Sequence, residues 1–264
     1  MVTGQYRMIT SNFKNLPKIA SSLSIQLGLN GFSFFVSSQQ LNSDALSFYF
    51  KNRKSEKEIT EALSDFILKN EILHQNFSKV SVTYTDNPFC LVPNAIFEAD
   101  EKELYLKYNV KTYTTDALLH ASVNDTKIVF SIPKSLQSKL EEFYEIDVYN
   151  HLSAQLLHYL VKEYKQNFSP RVFVYPFKDF FYIFLLSGSE ILFCNTFPYE
   201  NAADFLYYLL FAFEQLNIDT TKETLYLLAP VDNEVINTIT PYIFDIKVSS
   251  NTPKNFIHLR NLQA

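Results

Sequence analysis

The residues of this chain that could do chemistry are few and poorly spaced for it. Cys90 and Cys194 lie far apart, and neither sits in a Cys-x-x-Cys or Cys/His ligand pattern. They read as buried thiols of a reducing compartment. His151 and His158 are seven residues apart, two helical turns or roughly 10 Å. A chelating pair on a helix needs a spacing of about three or four residues, so both read as surface or packing residues. His74, His120 and His258 have no partner along the chain. No phosphate-binding G-x-x-x-x-G-K, no dinucleotide G-x-G-x-x-G and no G-x-S-x-G nucleophile turn occurs. The densest basic run, Lys51, Arg53, Lys54 and Lys57, is broken by Glu56 and Glu58. It reads as the solvated start of a helix rather than a nucleic-acid footprint.

Composition narrows the field further. A chain of 264 residues that is 47% hydrophobic can bury one large core or two ordinary ones. Its 25 Phe and 17 Tyr, with no Trp, are expected mostly inside. The formal charge of −5 gives no polybasic surface. The first residues carry no apolar leader, so the sequons at Asn76 and Asn167 have no secretory context. The longest apolar run, Phe205–Phe213, is nine residues, whereas a membrane-spanning helix needs about 20.

The elements that must position any site follow from periodicity. Residues 1–20 read as a loose arm. Leu23–Gly28, Phe32–Ser37 and Ala45–Phe50 read as strands, the first two joined at Gly28-Leu-Asn-Gly31. Ser55 and Glu58 form a capping-box pattern for a helix over Glu56–Lys69, with Ile59, Ala62, Leu63, Phe66 and Ile67 on one face. Lys79–Tyr84 is a strand. Residues 86–126 break the rhythm and read as a small inserted subdomain, with a short apolar strand at Phe89–Pro93, a charged helix at Asp100–Tyr108 and a strand at Tyr113–Val123. Strand Lys127–Ile132, helix Lys134–Phe143, strand Glu145–Val148 and helix His151–Tyr164 follow.

The second half repeats the order. Val172–Tyr175, Phe181–Leu186 and Ile191–Asn195 are strands, and Asn201 caps a helix over Ala202–Leu216 that is apolar on most sides and is expected to be buried. Strand Leu225–Leu228, helix Asn233–Tyr242 and strand Asp245–Val248 close the chain. The segments KIVFSIP and LYLLAP, each followed by a helix and then EIDV or FDIKV, read as equivalent. The expected fold is therefore α/β, two domains over 1–150 and 151–264, each a mixed sheet of about five strands with helices on its faces.

That order resembles the ribonuclease-H-like fold, and its doubling resembles the actin-like ATPase superfamily, including its pilus-assembly members. The segments LNGFSFFV at 29–36 and NTFPYENAADFLYYLLFAFEQL at 195–216 are similar to a bacterial family, domain of unknown function 3822. The resemblance covers nearly the whole chain and implies the fold, with no activity to carry over.

The actin-like resemblance also implies where a nucleotide would sit. The first phosphate hairpin, Asp-x-Gly in that superfamily, matches Gln26-Leu27-Gly28, with Gln where the metal-linked Asp is expected. The second falls in VYPFKDFF and has no glycine, and the adenosine turn reads Ala229-Pro230-Val231-Asp232. Four glycines in the chain cannot furnish three glycine-dependent loops. Gly28 and Gly31 read as turn residues, Lys178 and Asp179 likewise, and Asp232 as a helix start. The balance falls against an enzyme. The reading is a cytoplasmic protein without cofactor or membrane span that binds or scaffolds another protein, with nucleic acid not expected. The alternative is an actin-like ATPase holding ATP and magnesium atypically through Gly28, Asn30, Lys178, Asp179 and Asp232 around a cleft between the halves. A second alternative is a ribonuclease-H-like protein acting on nucleic acid, which LSIQLG and KVSVTY, strands without carboxylates, do not favour.

Overall fold

The computed structural model describes residues 5–8, 22–38, 41–42, 46–50, 52–86, 88–108, 116–177 and 179–248. The chain divides into two compact units, residues 1–155 and 156–264.

In the first unit, β2 (Ser22–Gly28) and β3 (Gly31–Ser38) form an antiparallel hairpin that runs from Ser22 opposite Ser37 to Gly28 opposite Gly31. Gly31 sits at φ +147°, and a Cβ there would collide with the backbone of Phe48 and the ring of Tyr49, so the turn requires glycine. β3 pairs with β5 (Leu46–Tyr49) and with the two-residue β4 (Leu41–Asn42). Residues 1–20, expected to be a loose arm, contribute β1 (Gln5–Met8), antiparallel to β5. The correction follows from sheet edges: β5 offers free backbone groups that a polar segment can pair as well as an apolar one.

Helix α1 spans Glu56–Lys69, and the Ser55–Glu58 capping box forms in both directions. It buries Ile59, Leu63, Phe66 and Ile67, and Phe66 stacks on Phe34 at 5.7 Å. β6 (Lys79–Tyr84) returns parallel to β2, and β10 (Val148–His151) lies parallel to β6. The sheet order is β1-β5-β3-β2-β6-β10, with β4 also on β3.

Between β6 and β10 stands a separate three-stranded sheet, order β7-β9-β8, from β7 (Phe89–Pro93), β8 (Asp116–Val123) and β9 (Thr126–Pro133). Helix α2 (Lys102–Lys107) covers it through Leu106, packed with Cys90, Val92 and Val129. The insertion thus extends beyond the expected residue 126 to include the KIVFSIP strand. That strand does not take the sheet position of LYLLAP, which lies parallel beside Val172–Val174; β6, parallel beside β2, does. Apolar periodicity reports burial on a face but not which sheet a strand joins. Helix α3 (Lys134–Glu141) packs on α1, and the following strand begins at Val148, where Glu145–Val148 was expected. Helix α4 (Leu152–Tyr164) leads out of this unit.

The second unit has order β13-β12-β11-β14-β15, from β11 (Arg171–Pro176), β12 (Phe180–Ser187), β13 (Glu190–Pro198), β14 (Thr224–Leu227) and β15 (Asp245–Val248). β11, β12 and β13 are antiparallel neighbours; β14 and β15 add in parallel beyond β11. The strands β5, β3, β2, β6 and β10 have the same order and directions in the first unit. Helix α5 (Ala202–Gln215) is capped by Asn201, whose side chain accepts the Asp204 N–H at 3.0 Å. It buries Ala202, Phe205, Leu209, Ala212 and Phe213, with Phe205 stacked on Phe181 at 4.2 Å. Contrary to expectation, its opposite face is open: Tyr207 is 63% and Phe211 45% exposed. Helix α6 (Asn233–Ile239) packs beside it.

Candidate functional site

The first hairpin is held by the segments that follow β5 and β6. The N–H of Leu29, at the turn between β2 and β3, donates to the carboxylate of Asp86, which follows β6. The other carboxylate oxygen pairs with the Arg53 guanidinium at 3.1 Å. Asp86 is buried, while Arg53 reaches it from the surface. The turn carbonyls are used as well: Asn30 accepts the Phe50 N–H at 3.0 Å and Leu29 accepts the Lys54 N–H at 2.8 Å. Gly28 meets this arrangement directly, since a Cβ there would run into the Thr85 hydroxyl and the Asp86 carboxylate. Its glycine is required by internal packing. Gln26, where the resemblance expects an acid, is buried and accepts a bond from the Ser33 hydroxyl at 3.5 Å.

Behind Asp86 lies His151. The Ser153 backbone N–H donates to its Nδ1 at 3.2 Å, which makes Nδ1 the acceptor. Nε2–H therefore donates to the Asp86 carbonyl at 2.9 Å, and the Ser153 hydroxyl donates to Nδ1 at 2.7 Å. Burial pushes the imidazole down to about 4, only partly offset by its bond to the Asp86 carbonyl. It is a neutral structural histidine packed by Phe89 at 4.9 Å and Phe130 at 5.4 Å. His158 is exposed.

In the second unit the hairpin from β11 to β12 is closed by aromatics. The Phe177 N–H donates to the Phe180 carbonyl at 2.8 Å, and the two rings stack at 4.8 Å. Tyr199 buttresses it: its hydroxyl donates to the Phe177 carbonyl at 2.7 Å and its N–H to the Asp179 carbonyl at 3.1 Å. Burial, and then Asp232 and Asp179, push the Tyr199 phenol up to about 12. Asp179 and Asp232 thus act by charge on one phenol, while Gly28 and Asn30 share the first unit's turn. Lys178 lies outside the described residues. Asp232 is the N-cap of α6 without a side-chain capping bond. In the turn after β14, Leu228 donates to the Val174 carbonyl at 2.8 Å and Ala229 is fully buried. Among the described residues no group of three or more His, Cys, Asp or Glu could hold a metal ion. Cys90 and Cys194 are free, buried thiols.

Residues 10–246 match the family described as "Protein of unknown function (DUF3822)". The chain belongs to that family. No curated protein matches it in sequence. Among solved structures it is similar to a Bacteroides thetaiotaomicron protein with an actin-like ATPase fold and unknown function, at TM-score 0.78 and 21% identity, covering 92% of this chain and 96% of that one. It is also similar to a chain of the PilM–PilN type IV pilus biogenesis complex, at TM-score 0.54, 11% identity and coverage of 94% and 96%. A third, the ethanolamine utilization protein EutJ from Carboxydothermus hydrogenoformans, has TM-score 0.52, 7% identity and coverage of 94% and 91%. These likenesses establish the actin-like ATPase fold.

For this member of the family, sequence reasoning passed over Asp86, Arg53 and His151 as site residues. Arg53 lies in a basic run that reads as solvated, and Lys54–Glu58 and Lys57–Glu61 do form that run's i,i+4 pairs. Arg53 instead turns to a carboxylate 33 residues onward. Gln26, standing where the resemblance expects an acid, is the one sequence signal that the carboxylate at this hairpin comes from elsewhere in the chain.

Proposed function

We propose that this chain is a non-catalytic protein-binding or scaffolding module on an actin-like ATPase fold, with degenerate nucleotide loops and no cofactor. The observation that carries the reading is the Asp86 carboxylate on the Leu29 N–H. A hairpin that cradles phosphate must offer its N–H groups to an incoming anion. Here a buried carboxylate already takes that N–H, and a phosphate approaching it would meet like charge. Gln26 supplies no charge to orient a hydrated magnesium ion, and Phe177 and Phe180 stack across the second hairpin. These residues do not fit a magnesium–nucleotide complex. A protein as the partner agrees with the likeness to a chain of the PilM–PilN complex. We also read the two sheets as copies of one unit, supported by their common strand order. A cytoplasmic setting belongs to the same reading, supported by two buried, unbridged thiols. Isothermal titration calorimetry with ATP and magnesium tests it. No heat of binding is expected; saturable binding with a micromolar Kd would overturn the reading in favour of an ATPase using Gly28, Asn30, Lys178, Asp179 and Asp232.

A further inference from the structure

Helices α1 and α5 hold the same place in the two units. Each has 14 residues and joins the first strand of the common order, β5 or β13, to the fourth, β6 or β14. Laid on one another from their first residues, they bury matching positions: Ile59, Leu63, Phe66 and Ile67 in α1, and Phe205, Leu209, Ala212 and Phe213 in α5. Their outward lines also match, but the chemistry differs. In α1 the line is Lys57, Glu61, Asp65 and Lys69, laced by the i,i+4 pairs Lys57–Glu61 and Lys69–Asp65. In α5 it is Ala203, Tyr207, Phe211 and Gln215. Tyr207 and Phe211 are exposed, and their rings stack at 6.4 Å.

α1 shows what solvent asks of this position, a charged face. The aromatic face of α5 points away from its own core and adds nothing to it. Stacked Tyr and Phe on a rigid helix are the residue types that anchor protein interfaces, with little side-chain entropy to lose on binding.

Charge selects the occupant. α5 contains no Lys or Arg; its ionisable groups with side-chain charge are Asp204 and Glu214, one toward each end, and Glu200 precedes it. A second copy laid antiparallel on this face would set Asp204 against Glu214 of its mate, acid on acid. A cationic helix would pair with both ends and place Lys or Arg over the Tyr207 ring. We propose that the Tyr207–Phe211 face of α5 docks a basic amphipathic helix of a partner protein. The proposal rests on the protein-binding reading above and names the partner's chemistry.

The test uses the full chain and a fluorescent peptide of repeating Leu-Lys-Lys-Leu-Leu-Lys-Leu, as long as α5, beside a counterpart with Glu for every Lys. The variant Tyr207→Glu/Phe211→Asp gives α5 the outward acids of α1. Circular dichroism and thermal melting verify its fold, and Lys57→Ala/Asp65→Ala in α1 is the control surface. The expected result is saturable binding of the basic peptide to the wild type and the α1 variant. Affinity for the α5 variant should fall about tenfold or more, equal to ~1.4 kcal/mol, although that variant is more acidic. The acidic peptide should bind none of them. Equal binding of the basic peptide to wild type and α5 variant means generic charge attraction and overturns the proposal, as does no binding to the wild type. A wild-type dimer in sedimentation that the α5 variant abolishes would assign the face to a second copy and overturn it too. A magnesium-ATP titration of the same proteins is read separately, so failure of the nucleotide-free reading is not mistaken for failure of this one.

Discussion

Asp86 is a buried charge with a defined task, and its removal should be costly. Truncation to Ala leaves the Leu29 N–H without its acceptor and the Arg53 guanidinium without its partner. We expect Asp86→Ala to lower unfolding free energy by roughly 2–4 kcal/mol in urea titrations. Asp86→Asn keeps an acceptor oxygen and should lose less. A truncated variant within about 0.5 kcal/mol of wild type would mean that the carboxylate does not hold the hairpin. His151 yields a pH prediction. Its folded value, lowered to about 4, lies below the unfolded value of about 6.5, so the unfolded chain takes up the proton first. The contribution is complete above pH ~6.5, declines as pH falls toward ~4, and is lost below that, on the order of 3 kcal/mol in all. About 2 kcal/mol of it should disappear between pH ~7 and ~5. Histidine-detected NMR should find this imidazole neutral through that range; titration near 6.5 would refute the assignment. Neither residue was legible beforehand as part of a site. The Leu29–Asp86 and His151–Asp86 contacts join positions 57 and 65 residues apart, and local pattern carries no information on such pairs.

At the scale of elements, legibility followed local chemistry. α1 and β6 have the boundaries expected of them because a capping box and clean periodicity mark them. β10 was shifted by three residues because an edge strand carrying exposed Val148 has no clear alternation. The KIVFSIP strand was legible as a strand but not as part of the insertion. α5 was legible as a helix, and its apolar composition hid that two jobs share it. Its faces should separate in mutagenesis. Phe205→Ala removes a fully buried ring stacked on Phe181 and should cost roughly 3–5 kcal/mol. Tyr207→Ala/Phe211→Ala cuts exposed rings and should stay within about 0.5–1 kcal/mol. Chemical denaturation of both variants checks the contrast; comparable losses would show that the outward rings support the fold.

At the scale of the whole molecule, linkage reports on a nucleotide site wherever it lies. A ligand that binds the folded chain alone raises its stability by RT ln(1 + [L]/Kd), so ~1 mM ATP acting on a ~1 μM site would add about 4 kcal/mol. Chains of this size gain roughly 2–4 °C in Tm for each kcal/mol, so such a site would be unmistakable in a melting curve. With the first hairpin's N–H committed to Asp86 and the second crossed by stacked Phe177 and Phe180, we expect no magnesium-dependent ATP shift. Asp179→Ala and Asp232→Ala should leave that null response unchanged, because neither belongs to a group of three or more possible metal ligands among the described residues, and the charge of each acts on the Tyr199 phenol. Removing them should instead ease ionisation of Tyr199, lowering it from about 12, a change that ultraviolet titration of the phenolate reads directly. A Tm gain with ATP that vanished in Asp179→Ala would refute this expectation: the chain would then bind nucleotide despite the Asp86 carboxylate on its first hairpin.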